Sequence, residues 1–218
     1  MHIVFLTEGA QPPFSGLQGT LAACGSLCFL KTVEKIICNS RPHQTIIFKS
    51  PMNFGIVYFS LGSNLGDRAQ SIALAIEEIS IHIGRVNKIS SMFESEPIGD
   101  KSHPKYLNCC ISAFSGLTPN QIMQKCHEIE MKLGRVRGDT KWAPRTIDID
   151  IIFCGDKVVS TPILTVPHPE AHKRLFVLMP MAELAPDFTH PKLRKSVWQL
   201  LNECPDTSIV SRPSHGEA

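Results

Sequence analysis

Trp142-Ala143-Pro144-Arg145-Thr146-Ile147-Asp148-Ile149-Asp150-Ile151-Ile152-Phe153 is the stretch around which the chain is organised. From Ile147 onward, apolar and acidic residues alternate with period two. That period marks a strand, whose successive side chains point to opposite faces. Asp148 and Asp150 therefore share one face, and Ile147, Ile149 and Ile151 take the other, where helices can cover them. Neighbouring carboxylates repel each other and lose hydration. A hard cation between them relieves both costs, and Mg2+ prefers oxygen ligands. Residues i and i+2 of a strand lie about 7 Å apart at Cα, so the pair can flank two ions roughly 4 Å apart. Taken alone, the alternation also fits an edge strand with a solvated acidic face.

The upstream flank adds to this. Gly134-Arg135-Val136-Arg137-Gly138-Asp139-Thr140-Lys141 runs into Trp142 and Arg145, so four basic residues and one acid precede the aspartates. A cationic loop feeding a paired-aspartate strand suits a metal-bound polyphosphate. The aspartates hold Mg2+, and guanidinium groups clamp phosphate oxygens bidentately. A basic loop is often merely solvated, but here it stands beside two acids that need a partner.

The chain has 218 residues, 43% of them hydrophobic, enough for one domain with a substantial core plus an extension. Its net charge is +2, from 22 basic and 20 acidic residues. That balance does not point to nucleic acid or to a membrane surface as partner. Eight cysteines, at 24, 28, 38, 109, 110, 126, 154 and 204, form no CxxC pair and several sit at apolar positions. They read as reduced core residues of a cytoplasmic protein, with no zinc spacing. Residues 1–54 form an N-terminal extension, disordered or preceding a true start at Met52. Leu21-Ala22-Ala23-Cys24-Gly25 resembles a lipoprotein cleavage box, but Glu8, Pro12 and Pro13 precede it and no Lys or Arg does.

Regularity begins at Ile56. Ile56 to Leu61 reads as a buried strand stopped by Gly62-Ser63-Asn64-Leu65-Gly66, a glycine loop without the Gly-Lys-Ser/Thr of a Walker motif. Asp67 or Ser71 caps a helix with Ile72, Ala75, Ile76, Ile79 and Ile83 at helical spacing, ended by Gly84. Val86 to Phe93 is a strand, and Tyr106 to Phe114 is another. Thr118-Pro119-Asn120-Gln121 is a capped helix start with proline at the first helical position. Ile122, Met123, Cys126, Ile129 and Leu133 make the buried stripe of this helix, and Glu130, just off it, is placed to pair with an arginine. After the aspartate strand come a hairpin over Gly155-Asp156-Lys157 to Val159, the rigid loop Val166-Pro167-His168-Pro169, and a helix from Arg174 to Leu184 broken at Pro180. An amphipathic helix from Ser196 to Cys204 and a flexible tail over 206–218 close the chain. The order strand, helix, strand, strand, helix, strand predicts an α+β, ferredoxin-like split βαβ fold. In it, an antiparallel sheet carries helices on one face and the active site on the other, over a domain of residues 55–205.

From Ile56 to Cys204 the sequence closely resembles the 6-hydroxymethyl-7,8-dihydropterin pyrophosphokinases of folate biosynthesis. The resemblance runs in order through Leu61 to Asp67, Ser95-Glu96-Pro97-Ile98-Gly99, Tyr106-Leu107-Asn108, Glu130 with Gly134 to Arg137, Trp142 to Ile152, Val166 to Pro169 and Arg174 to Leu178. It implies transfer of an intact pyrophosphoryl group from ATP to the pterin hydroxymethyl oxygen, with two Mg2+ ions as cofactors and ATP as co-substrate. It implies Asp148 and Asp150 as metal ligands and, with Arg135 and Arg145, as the catalytic set. Glu130, Arg135, Trp142, Arg145, Ile151, His168 and Arg174 correspond to the ATP side. Ser95, Pro97, Ile98, Tyr106, Asn108 and Phe176 correspond to the pterin pocket. Phe93 stands where the family often has tyrosine and Ala143 where it often has glycine, and Lys101-Ser102-His103 replaces a more acidic or amide-rich loop.

The expectation is a monomeric enzyme that takes small-molecule substrates and binds neither nucleic acid nor membrane. Removing either aspartate from the empty protein is expected to relieve repulsion and leave stability unchanged or higher. The alternative from another class is a ferredoxin-like RNA-binding module without catalysis. The sequence lacks that module's basic-aromatic strand pattern, and Asp148 and Asp150 would repel a phosphate backbone unless metal were bound.

Overall fold

The computed structural model describes residues 55–97, 99, 101–135 and 144–213. The extension over 1–54, and Ile98 and Trp142 within the domain, lie outside them. Strand β1 (Gly55–Ser63) leads to helix α1 (Arg68–His82), then β2 (Arg85–Ile89), β3 (Phe93–Ser95), β4 (Tyr106–Ser115), α2 (Pro119–Lys132) and β5 (Asp148–Cys154). Short strands β6 (Val159–Ser160) and β7 (Thr165–Val166) follow, then a 3-10 turn over Ala171–Lys173, α3 (Leu175–Leu184), α4 (Val197–Asn202) and β8 (Val210–Ser211).

The main sheet is antiparallel in every pairing, in the order β5-β1-β4-β3-β8, with β2 also paired to β4. Strands β1 and β4 are central and carry long apolar runs, so both faces need cover. One face packs Val57, Phe59, Leu61, Ile149 and Ile151 against Ile72, Ala75 and Ile79 of α1 and Ile122, Cys126 and Ile129 of α2. The helix starts follow the capping chemistry: Asp67 accepts from the Gln70 amide, and Thr118 and Gln121 form a reciprocal capping box with Pro119 in the first turn. The other face is not left open. Tyr58, Cys110, Ile152 and Phe153 are covered by Val177, Leu178, Met181 and Leu184 of α3 and by Val197 and Leu200 of α4. Helices therefore lie on both faces, and the second pair covers only part of its face.

Four local expectations change. The single strand over Val86 to Phe93 is divided into β2 and β3, because Ser90 leaves the ladder: its amide donates to the Cys110 carbonyl and its hydroxyl oxygen accepts from the Cys110 amide. The strand β6 pairs with β7 rather than turning back on β5, whose neighbour is β1. Helix α3 runs unbroken through Pro180. One missing amide bond is outweighed there by packing of the buried Val177, Leu178, Pro180 and Met181. Residues 205–211 are not a free tail: Asp206 accepts a hydrogen bond from the Leu175 amide, and β8 adds to β3.

Gly84 ends α1 for a steric reason. A β-carbon there would run into the Phe114 carbonyl oxygen, and would stand 2.9 Å from the carbonyl carbon and 3.0 Å from the Ser115 Cα, all backbone atoms of β4. Gly84→Ala is expected to lower stability by about 1–3 kcal/mol, the usual cost of overpacking, as read from the midpoint of urea unfolding.

Candidate active site

The site is built by strand register. Across β5, β1 and β4, Asp148 stands opposite Gly62 and Gly62 opposite Asn108; one step along, Asp150 stands opposite Ser60. Directly paired residues project from the same face, so these residues form the floor of a cleft of about 580 Å³, counting its open mouth. Gly62 keeps that floor low. A side chain there would begin 3.2 Å from Asn108 Oδ1 and 3.7 Å from the Tyr106 ring. Tyr106, Phe176, Ser95 and Glu96 line the cleft together with Arg145 and Arg174. The isoleucines between the aspartates are buried on the α1/α2 side, as the alternation requires.

Charge in the cleft is arranged in layers. Asp148 is held between two guanidinium groups, Arg135 at 2.5 Å and Arg145 at 2.6 Å. Arg135 also pairs with Glu130, which lies almost wholly buried on α2 and accepts a second bond, 2.8 Å, from the Ile149 amide. Burial raises the Glu130 carboxyl to about 7, against the pull of Arg135 and the Ile149 amide. Burial also works against the charge of Arg135, but Asp148 and Glu130 outweigh it and its pKa rises. Asp150 has no such clamp: among the described residues no cation lies within ion-pair distance. Burial first and Asp148 second push its carboxyl up to about 6, with Arg174, Arg135 and Arg145 opposing.

Arg145 itself is fixed through its backbone. The buried Asn64 takes the Arg145 amide on Oδ1 at 2.7 Å, gives its own amide to the Arg145 carbonyl at 3.1 Å, and donates Nδ2 to the Pro104 carbonyl at 3.2 Å. The glycine loop after β1 thus serves to anchor an arginine and the start of β4.

The expected pterin residues mostly converge. Asn108 is buried and donates Nδ2 to Ser95 Oγ at 2.9 Å and to the Phe93 carbonyl at 3.4 Å. Tyr106 and Phe176 both line the cleft, and the Arg174 guanidinium stands 5.8 Å from the Phe176 ring centre. Pro97 lies outside the cleft, in a neighbouring hollow that shares Arg174 and Phe176. His168 is set back from the lining. Its Nδ1 accepts from the Glu170 amide, so Nε2 carries the proton. Burial, aided by Arg174, pushes its pKa down to about 4, and the ring is neutral at neutral pH.

Ile151, expected on the ATP side, has its side chain buried in the core beneath α1 and α2, so only its backbone is left to meet a nucleotide. Glu130 meets Arg135 and a backbone amide rather than the open cleft. Ser60, Gly62 and Glu96 line the cleft without having been singled out from sequence. Ser60 and Gly62 were legible in principle, as the positions of β1 in register with the aspartates.

The aspartate pair suits a divalent cation. Among the described residues no group of three or more His, Cys, Asp or Glu side chains converges to cage a metal. Mg2+ does not require one, since it keeps waters and binds through one or two carboxylates plus substrate phosphates. Asp150, held above the usual carboxylate range with no cation beside it, is the feature such an ion would relieve.

Comparison with known proteins follows the same residues. Residues 58–186 match the family described as 7,8-dihydro-6-hydroxymethylpterin-pyrophosphokinase (HPPK). The 2-amino-4-hydroxy-6-hydroxymethyldihydropteridine pyrophosphokinase of Synechocystis is 38% identical over 150 residues, covering 68% of this chain and 76% of its own. The corresponding protein of Aquifex aeolicus is 40% identical over 139 residues, covering 64% and 86%. The folic acid synthesis protein fol1 of Pneumocystis carinii is 39% identical over 153 residues, covering 70% of this chain but only 20% of that longer protein. Among solved structures, an HPPK-DHPS of Plasmodium falciparum matches with a TM-score of 0.57 at 14% identity, covering 73% of this chain and 47% of that one. That likeness concerns the fold alone.

The layered charges separate the two aspartates, contrary to the expectation that either substitution is tolerated. Asp150→Asn removes an unpaired, strained charge, and the empty protein should be as stable as before or more so. Asp148→Asn leaves Arg145 without its carboxylate and weakens the Arg135 pair, at a cost of roughly 1–3 kcal/mol. Thermal melting of both variants without ligand checks the contrast.

Proposed function

The chain belongs to the 7,8-dihydro-6-hydroxymethylpterin-pyrophosphokinase family, and on that premise we infer that it transfers pyrophosphate from ATP to 6-hydroxymethyl-7,8-dihydropterin in folate synthesis. The hydroxymethyl oxygen forms a bond to the β-phosphorus, the bond between that phosphorus and the oxygen bridging it to the α-phosphorus breaks, and AMP leaves. The hydroxyl proton is lost to solvent. The observation that carries this reading is the pairing of Asp148 and Asp150 on the floor of a cleft that also gathers the cations Arg145 and Arg174 and the rings of Tyr106 and Phe176.

Each residue is assigned a task. Asp148 and Asp150 would hold two Mg2+ ions, which when bound neutralise the triphosphate and polarise the attacking oxygen. Arg145 and Arg174 clamp phosphate oxygens in the cleft. Arg135 is tied to Glu130 from below and exchanges its Asp148 contact for phosphate when nucleotide enters. His168, neutral and protonated at Nε2, offers a further donor to the nucleotide. Trp142 is assigned to the ATP side. The pterin lies between Tyr106 and Phe176, with Asn108, Ser95 and the backbone around Pro97 and Ile98 reading its amide edge. Phosphoryl-type transfer depends on positioning and charge stabilisation rather than a protein nucleophile, and none is invoked.

We read the strand order as the ferredoxin-like split βαβ pattern and assign activity to the expected domain of residues 55–205, extended to Ser211 by the Asp206 contact and β8, as a cytoplasmic monomer. No helix of the described residues is long and apolar enough to cross a membrane. The RNA-binding alternative is not supported. Part of the sheet face it would use lies under α3 and α4, and the rest carries two carboxylates.

Incubation with Mg-ATP and the dihydropterin alcohol is expected to yield AMP and a pterin diphosphate, and Asp148→Asn or Asp150→Asn to remove nearly all turnover. ADP as product, or nucleotide cleavage independent of the pterin, contradicts the assignment.

A further inference from the structure

Helix α3 begins at the cleft. Its N-cap is Arg174 and its second residue is Phe176, so its first turn supplies both a cationic and an aromatic wall. Yet Arg174 makes no side-chain capping bond. The missing acceptor comes from 31 residues further along: Asp206 Oδ2 takes the Leu175 amide at 2.9 Å. The other carboxylate oxygen, Oδ1, takes the Ser208 amide at 2.9 Å and so fixes the side chain in a local turn. Beyond that turn, Val210 pairs with Ser95 and Ser211 with Glu94, where β8 joins β3. Ser95 in turn accepts the side-chain amide of Asn108 at 2.9 Å, and both line the cleft. A single segment thus joins the start of α3, bearing Phe176, to the strand bearing Ser95.

We infer that residues 205–211 brace the pterin end of the cleft, with Asp206 as the positioning residue for Arg174 and Phe176. Asp206 is not among the residues that line the cleft. It satisfies an amide that the first turn of α3 would otherwise present bare, and a carboxylate at a helix N-terminus also suits the helix dipole. Without it the first turn is free to fray, and Phe176 loses its fixed distance from Tyr106. The brace is a property of spacing rather than of charge: an asparagine keeps one acceptor oxygen for the Leu175 amide but gives up the Ser208 bond, so it should retain most of the effect.

The inference rests on the pyrophosphokinase reading, and one experiment separates the two. The full-length chain and its Asp206→Ala, Asp206→Asn and Asp206→Glu variants are assayed for AMP release well below their melting temperatures, and hydrogen exchange is followed at the Leu175 amide. Asp206→Ala should raise the pterin KM about tenfold, the scale of a lost helix cap, with a smaller fall in kcat and faster exchange at Leu175. Asp206→Asn should stay within about twofold of the unaltered chain. Asp206→Glu keeps the charge but displaces it by one methylene, should fall between them, and carries the test if the alanine variant does not fold. Unchanged KM in Asp206→Ala and Asp206→Glu overturns the inference. So does an equal loss in Asp206→Asn and Asp206→Ala that follows melting temperature. An unaltered chain that releases no AMP overturns the reaction assignment instead, while exchange at Leu175 still reports on the brace.

Discussion

The site depends on how one strand tolerates two carboxylates. Asp148 and Asp150 stand on the same face of β5, and the protein treats them differently. Asp148 is clamped by Arg135 and Arg145 at 2.5 and 2.6 Å, while Asp150 is left without a described cation and is held near 6 by burial and by its neighbour. The empty cleft is therefore close to charge balance on one side and frustrated on the other. A polyphosphate that enters with a divalent cation resolves both: the cation suits the aspartates, and the phosphates give the arginines a new partner. Glu130 keeps Arg135 in place during that exchange, because it is buried and tied to the Ile149 amide.

Much of this was legible in the sequence because it follows from period and local chemistry. Alternation alone put the aspartates on one face and Ile147, Ile149 and Ile151 on the other. The Thr118-Pro119-Asn120-Gln121 start, the Asp67 cap and the helix stripes needed only neighbours within one or two turns. Glu130 was placed near a basic loop by its position just off the α2 stripe, and it does pair with an arginine.

What escaped was set by contacts distant in sequence. Asn64 belongs to a glycine loop with no recognisable phosphate motif. Its task, fixing the backbone of Arg145, appears only when β1 and β5 are paired. Pro180 is a helix breaker by propensity and is carried through by packing beneath α3. The segment after Cys204 is polar and proline-containing, and composition gave no hint that Asp206 caps a helix that starts 31 residues earlier.

The central claim is that the aspartate pair is a metal site completed by the nucleotide. Its most direct test counts Mn2+, as a paramagnetic substitute for Mg2+, bound to the full chain with and without an ATP analogue whose α,β-bridge cannot be cleaved. The account predicts two tightly bound ions per chain only when the analogue is present, and one or fewer in Asp150→Asn. The same number and affinity of ions in Asp150→Asn as in the unaltered protein would contradict it.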